Sequence, residues 1–331
     1  MKPDISVVIP TYNRADSLLR ALKSISQQIY LPKEVIIVDA STEPLEAEDL
    51  QKKFPQLAIA YYTSKPSVCI QRNLGIKMAQ SPYIFLCDDD VEAPNDYLLK
   101  IAEYLSKNPE EGIATGYFLQ KNEKGKWVYQ YPTTSFLTYL WNFIFQLSVW
   151  GDFSQIKTNF VTKFIFLLIK KFYDKRGNSY TLAGWPLITN FSEQVIKTSV
   201  YTLGAAIVKK EWLLSSPFDE LLVPNGIGDN YGIIANLPYH QPIKILTEAY
   251  VYHHHAPENR LKAAATYQCR VFALHYFMKK SSKFRYINIM FLYWSLAGHT
   301  IYQIAKLNGT MVKASLKTII TLIAEGNPYL K

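Results

Sequence analysis

The chain has 331 residues, of which 49% are hydrophobic, 14% aromatic and only 19% charged. That composition excludes disordered, collagen-like and disulfide-stapled proteins and supplies enough apolar surface for a large core. The net charge of +9 is unevenly placed: residues 1–255 carry 25 Lys and Arg against 25 Asp and Glu, whereas residues 256–331 carry 11 against only Glu258 and Glu325. A basic end beside a neutral body points either to surface attachment or to a solvated helical face. Cys69, Cys87 and Cys269 cannot all pair, and none stands in metal-ligand spacing, so a reducing, cytoplasmic setting is expected. The first residues run straight into ISVVIP without a charged n-region or a long apolar stretch, so no secretory signal is expected.

From residue 5 to about 120, short apolar runs alternate with stretches of helical period. Strands are predicted at ISVVIP, EVIIVDA, AIAYY, YIFLC and GIATGYF, and helices over 15–28, 68–79 and 95–107. This alternation predicts an α/β fold with a mostly parallel sheet covered on both faces, which binds ligands beyond the carboxyl ends of its strands. Residues 121–180 differ in character. SFLTYLWNFIFQLSVW, over 135–150, carries no charge, and FIFLLIKKF, over 164–172, is apolar with a basic end. As a helix the first run would reach ~24 Å, short of a bilayer, and Thr138, Asn142 and Gln146 form a polar stripe suited to an interface or a protein core.

Residues 181–255 return to mixed α/β texture, and the chain from 256 is helical. Residues 286–305 hold no Lys, Arg, Asp or Glu. Asn288, Ser295, His299 and Gln303 nevertheless share one face, which fits a helix lying in the membrane plane or packed on the domain better than a spanning one. Lys279, Lys280, Lys283 and Arg285 before it, with Lys306, Lys313 and Lys317 after it, would each contribute ~1 kcal/mol at an anionic lipid surface. Four regions result: 1–120 a ligand-binding half, 121–180 an apolar helical insertion, 181–255 a second α/β half, and 256–331 a basic amphipathic helical tail.

Asp88, Asp89 and Asp90 follow the apolar strand YIFLC. In extended chain, Asp88 and Asp90 face the same way and suit a hard divalent cation whose remaining ligands come from water and phosphate. The alternative is an acidic turn capping the helix that begins near Pro94. Asp39 ends EVIIVDA and suits either a base or ribose contact or helix capping. Arg72 begins a helix in CIQRNLGIKMA, where it either grips a diphosphate or neighbouring carboxylates or lies on the surface, and Gly75 would let that helix approach closely. No phosphate-binding P-loop and no strand-linked GxGxxG is present.

Four blocks resemble the family 2 glycosyltransferases, inverting enzymes of the GT-A fold. They are ISVVIPTYNRADSLLRALKSI with VDAS, then IQRNLGIKMAQSPYIFLCDDDVEAPNDYL, then GAAIVKKEW with FDELL and GIGDNYG, and AYVYHHH. The resemblance covers about residues 4–255. It implies that residues 1–120 bind a nucleotide sugar and 181–255 an acceptor. Pro10, Thr11, Asn13 and Arg14 would line the nucleotide pocket, with Asp39 meeting the base and Arg72 helping to hold the donor. Asp88, Asp89 and Asp90 would form the DxD-type motif, with Asp90 the metal ligand, Asp88 nearer the ribose or a second metal contact, and the register left open for Asp89. Asp229 would be the catalytic base, although Gly228 stands where the family has a glutamate, and Asp219 in FDE competes for the role. His253 could join the metal, His255 sharing its strand face and His254 pointing away. The expected activity is metal-dependent transfer of a sugar, with Mn2+ or Mg2+, from a nucleotide diphosphate sugar, foremost a UDP-sugar, to a hydroxyl of a glycan or lipid-linked saccharide. The expected location is the cytoplasmic face of the cell membrane, held there peripherally by the basic tail. A non-catalytic nucleotide-sugar or glycan binder of the same fold is the alternative, and nucleic acid is not an expected partner.

Overall fold

A computed structural model describes residues 2–223, 225–236, 242–256, 258 and 260–331. In chain order the first half runs β1 (Ile5–Thr11), α1 (Ala15–Ser26), β2 (Glu34–Asp39), α2 (Ala47–Lys53), β3 (Ile59–Thr63), α3 (Val68–Met78), β4 (Tyr83–Leu86), β5 (Val91–Glu92), α4 (Tyr97–Lys107), β6 (Ile113–Lys121) and β7 (Trp127–Val128). Then follow α5 (Phe136–Ile144), β8 (Val149–Trp150), α6 (Phe160–Arg176), β9 (Ser179–Tyr180), β10 (Pro186–Ile188), β11 (Val195–Thr198), β12 (Ile207–Lys209), α7 (Lys210–Ser215), α8 (Asp229–Asn236), β13 (Ile243–His253), α9 (Ala263–Lys280), α10 (Tyr286–Ala305) and α11 (Gly309–Ile320). The chain divides into two compact units, residues 1–129, 194–197 and 202–260, and residues 130–193, 198–201 and 261–331.

Unit 1 is built on a sheet of order β11-β13-β6-β12-β4-β1-β2-β3, with β5 added on β13 and β7 on β6. β1 pairs in parallel with β2 and β4, and β2 with β3, while β12 runs antiparallel to β4 and β6. The chain steps one way from β1 to β3 and returns to β4, so right-handed crossovers put α1 and α2 on one face and α3 on the other. The sheet is therefore mostly parallel and covered on both sides, as predicted. Its central strands bury every residue of ISVVIPT in β1 and all but the first of EVIIVD in β2, the pattern expected where both faces are covered. α1 buries Leu18, Ala21, Leu22 and Ile25 at helical spacing. α3 lies tight on the strands, because a Cβ at Gly75 would strike the Val8 side chain and touch Val38.

Unit 2 has its own core of Tyr139, Val149, Phe153, Ile169, Tyr173 and Leu187. The uncharged run at 135–150 does not form one helix: α5 stops at Ile144, Gln146 takes φ 51°, and Val149-Trp150 pair in parallel with β10. In α10 the polar stripe turns inward. Ser295 is fully buried and accepts a hydrogen bond from Trp185 Nε1, Asn288 donates to the Leu182 carbonyl, and His299 stacks on Tyr267 at 4.4 Å between ring centroids. The apolar side of α10, with Tyr286, Ile287, Met290 and Trp294, is exposed instead. Among the described residues no helix is long and apolar enough to cross a membrane.

Candidate active site

The parallel strands of unit 1 end together, which gathers the residues that follow them. β1 and β2 are in register with Pro10 opposite Val38 and Thr11 opposite Asp39. Gln71 of α3 locks this edge by donating from Nε2 to the carbonyls of Thr11 and Val38, both at 2.7 Å. Asp39 is buried, accepts from the Ser41 amide at 2.7 Å through Oδ1, and accepts the Tyr61 hydroxyl through Oδ2. It caps no helix, since α2 begins at Ala47 after Glu46. Asn13, in a left-handed conformation, accepts from the Thr42 amide while its own amide donates to the Ser41 hydroxyl. The turn after β1 and the turn after β2 are thus tied into one wall.

The three aspartates after β4 point to three different partners. Asp88 accepts from Arg72 Nη2 at 2.5 Å and is the most exposed of them. Asp89 accepts from Thr11 Oγ1 at 2.9 Å and from Arg14 Nη1 at 3.2 Å. Its burial raises the carboxyl pKa to about 6 against the opposing charge of Arg14. Asp90 is 2% exposed. His253 Nε2 lies 3.1 Å from its Oδ1, while Arg260 and the Ala256 amide donate to its Oδ2 at 2.7 and 3.0 Å. Burial works to raise this carboxyl, but His253, Arg260 and the Ala256 amide together outweigh it and hold it well below the usual carboxylate range. None of the three caps α4, whose first turn follows Asp96.

His253 reaches Asp90 because β5 starts at the residue after that aspartate and pairs antiparallel with the end of β13, setting His253 opposite Val91. His253 and His255 share a side, with ring centroids 4.1 Å apart, while His254 turns away to Glu92 at 2.7 Å. Arg72 is not a surface arginine. It is 6% exposed, lies over the Phe218 ring at 5.0 Å, and bridges Asp88 to Asp229 through its two Nη atoms. Asp229 opens α8, and its burial raises its carboxyl above the ordinary range with Arg72 opposing. Gly228 holds φ 89°, a left-handed backbone in which glycine is at ease and glutamate is not, so the departure from the family pattern fits the turn that leads into α8. Asp219 accepts from the Leu221 amide at 3.1 Å, and Glu220 accepts from Asn73.

Three further residues hold the site together without standing out in the sequence pattern: Tyr61, Gln71 and Arg260. Tyr61 was detectable in principle, since the β2–β3 register sets it beside Ile37, on the face that also carries Asp39. Arg260 had no such signal, lying in a loop 170 residues from its partner. Asp90 Oδ1 and His253 Nε2 touch at 3.1 Å, and the carboxylate is an oxygen donor of the kind Mn2+ or Mg2+ takes when phosphate oxygens and water complete the shell. Among the described residues no group of three or more His, Cys, Asp or Glu converges as a self-sufficient metal cage.

A mostly parallel sheet with carboxylates gathered at its carboxyl edge defines the class, the GT-A fold. The chain belongs to glycosyl transferase family 2, whose family model matches residues 6–177. Among curated relatives, the uncharacterized glycosyltransferase YwdF of Bacillus subtilis is 40% identical over 87 residues, 26% of this chain and 32% of that protein. WcaA of Escherichia coli, which bears a provisional assignment as a colanic acid biosynthesis glycosyl transferase, is 33% identical over 125 residues, 37% of this chain and 43% of WcaA. The matches thus span less than half the length of these relatives. S. aureus TarS 1–349, solved with UDP-GlcNAc, superposes with a TM-score of 0.54 at 14% identity, covering 97% of this chain and 82% of that one.

Proposed function

We propose that the protein is a metal-dependent, inverting glycosyltransferase that moves a sugar from a nucleotide diphosphate sugar, foremost a UDP-sugar, to a hydroxyl of a glycan or lipid-linked saccharide. The observation that carries this reading is the Asp88–Arg72–Asp229 bridge at the carboxyl edge of the sheet, beside the Asp39 wall. Pro10, Thr11, Asn13, Arg14 and Asp39 bind the nucleotide, and Asp88 and Asp89 face its ribose. Asp90 and His253 hold Mn2+ or Mg2+, which when bound neutralises the leaving diphosphate. Asp229 takes the proton of the acceptor hydroxyl, and a buried carboxyl with a raised pKa suits that task. Arg72 keeps Asp229 aimed and ionised.

TarS, with UDP-GlcNAc in its solved structure, supports a UDP-sugar donor, and the assignment of WcaA supports a glycan acceptor. Residues 1–120 act as the donor half and 181–255 as the acceptor half, with 121–180 and the tail 256–331 holding the enzyme peripherally on the cytoplasmic face of the membrane. The test is release of nucleoside diphosphate from a panel of nucleotide sugars with Mn2+ and membrane-lipid acceptors. Asp229→Asn should lower transfer about a hundredfold or more while donor affinity holds, and Asp219→Asn should leave transfer near wild type. Donor binding without turnover on any acceptor would favour a non-catalytic binder. Loss of transfer in folded Asp219→Asn alone would move the base to Asp219.

A further inference from the structure

We propose that the outward face of α6 is the element of unit 2 that inserts into an anionic lipid surface. This rests on the membrane-surface reading above and adds the part that enters the bilayer. α6 is anchored from beneath by Ile169 and Tyr173, buried in the unit 2 core, with Phe166 and Phe172 packed against it. Its opposite side leaves Phe160 96% and Phe164 68% exposed, with Val161, Ile165, Leu167 and Leu168 also in water. Six neighbouring apolar side chains on two turns form a contiguous patch that marks an interaction site.

The order of residues along that face selects the occupant. Positions 160, 164, 167, 168, 171 and 175 form one stripe at helical spacing; the first four are Phe, Phe, Leu and Leu, and the last two are Lys171 and Lys175. A helix that dips its first two turns into acyl chains and leaves its later lysines among phosphates has this sequence, with the lysine stems free to reach outward. The apolar stretch of about 13 Å is too short to span a bilayer and suits entry to the depth of the headgroup and acyl boundary. The leading end is prepared for an apolar medium, because Asn159 Oδ1 accepts from the Thr162 amide and Thr162 Oγ1 accepts from the Asn159 amide, satisfying two donors that lipid could not.

Charge narrows the occupant further. Unit 2 carries 16 Lys and Arg against 4 Asp and Glu, a net +12, whereas unit 1 carries 20 against 23, a net −3. The same face of a second copy would be repelled at that charge, and an anionic bilayer would be attracted.

The experiment is flotation of the full chain with vesicles of equimolar phosphatidylglycerol and phosphatidylcholine, at low and raised salt. Wild type should float and be released only in part by salt, since screening acts on the lysines and not on the apolar stripe. Phe164→Glu/Leu168→Glu should lower partitioning at least about tenfold and make the remainder fully salt-sensitive, with Tm and UDP binding unchanged. Phe164→Leu/Leu168→Phe should restore wild-type behaviour. A tail variant, Lys279→Gln/Lys280→Gln/Lys283→Gln, should bind more weakly but keep its salt-resistant fraction. If the glutamate variant floats like wild type at both salts while the tail variant is released, the α6 proposal is overturned and the membrane reading stands. If wild type does not float at all, both fall. If the glutamate variant changes only oligomeric state, the face is a contact between copies and the proposal is overturned.

Discussion

His253 Nε2 stands 3.1 Å from Asp90 Oδ1 although the two residues are 163 positions apart. The approach depends on two backbone features: β5, only two residues long, and the His254 amide donating to the Asp90 carbonyl at 2.9 Å. Gln120 lies 3.3 Å from His253 Nδ1 and fixes the far side of the ring. An imidazole held at both ends against an ionised carboxylate is a preorganised donor pair.

Metal dependence is the first prediction. UDP affinity should rise at least about tenfold when Mn2+ is added to wild type, and that gain should vanish in Asp90→Asn and shrink in His253→Gln. Titration calorimetry with and without chelator reads it directly. Affinity and turnover that ignore excess chelator would overturn the assignment of Asp90 and His253 to a metal.

The wall around Asp39 supplies the second. Asp39 has one oxygen on the Ser41 amide and the other on Tyr61, which leaves it oriented and able to accept a further hydrogen bond from a base. Asp39→Ala should weaken UDP and UDP-sugar alike by about tenfold to a hundredfold, the loss expected of a hydrogen bond to a charged group. Tyr61→Phe should cost less, since the carboxylate remains. Undiminished UDP affinity in Asp39→Ala would return Asp39 to a purely structural role.

The sequence exposed those parts of the fold that physics makes local. β1, β2 and β4 are continuous apolar runs because both faces are covered, and α1 shows its buried side every three or four residues. The carboxylates were detectable because parallel strands deliver their following residues to one edge. α2 was missed because its seven residues bury only Leu50 and show no period. The orientation of α10 was hidden for a different reason: only Trp185 and Leu182, distant in sequence, decide that Ser295 and Asn288 face inward. Arg260 on Asp90 belongs with these, a contact made by chain closure rather than by pattern.

Packing at Gly75 gives a stability prediction. A β-carbon there meets Val8, which is fully buried in the central strand. Gly75→Ala should destabilise unit 1 by about 1–3 kcal/mol through overpacking, seen as a lower denaturant midpoint at unchanged slope. Any gain in helix propensity is outweighed, because neither the strand nor the helix can shift without disturbing Gln71 on the β1–β2 edge. A variant as stable as wild type would mean that α3 can lift from the sheet.

The last prediction concerns pH and lies in unit 2. His275 of α9 is 2% exposed, and its Nδ1 accepts from Asn327 Nδ2 at 3.0 Å, which puts the proton of the neutral ring on Nε2. Burial first, and then the charge of Lys279, lower its pKa to about 4. A histidine in the unfolded chain titrates near 6.5. Between those values the unfolded chain binds the extra proton and the folded chain does not, so this residue makes stability rise with pH across that window. Acidification from neutrality therefore removes stability below about pH 6.5, by about 2 kcal/mol for this group between pH 7 and pH 5. Protonation would also turn Nδ1 from acceptor to donor against the Asn327 amide and break their hydrogen bond. His275→Gln cannot take up the proton, so the difference in unfolding free energy between pH 7 and pH 5 should be smaller in the variant than in wild type by about that amount. Urea titrations of both proteins at the two pH values measure it, and parallel losses would place the acid sensitivity elsewhere in the chain.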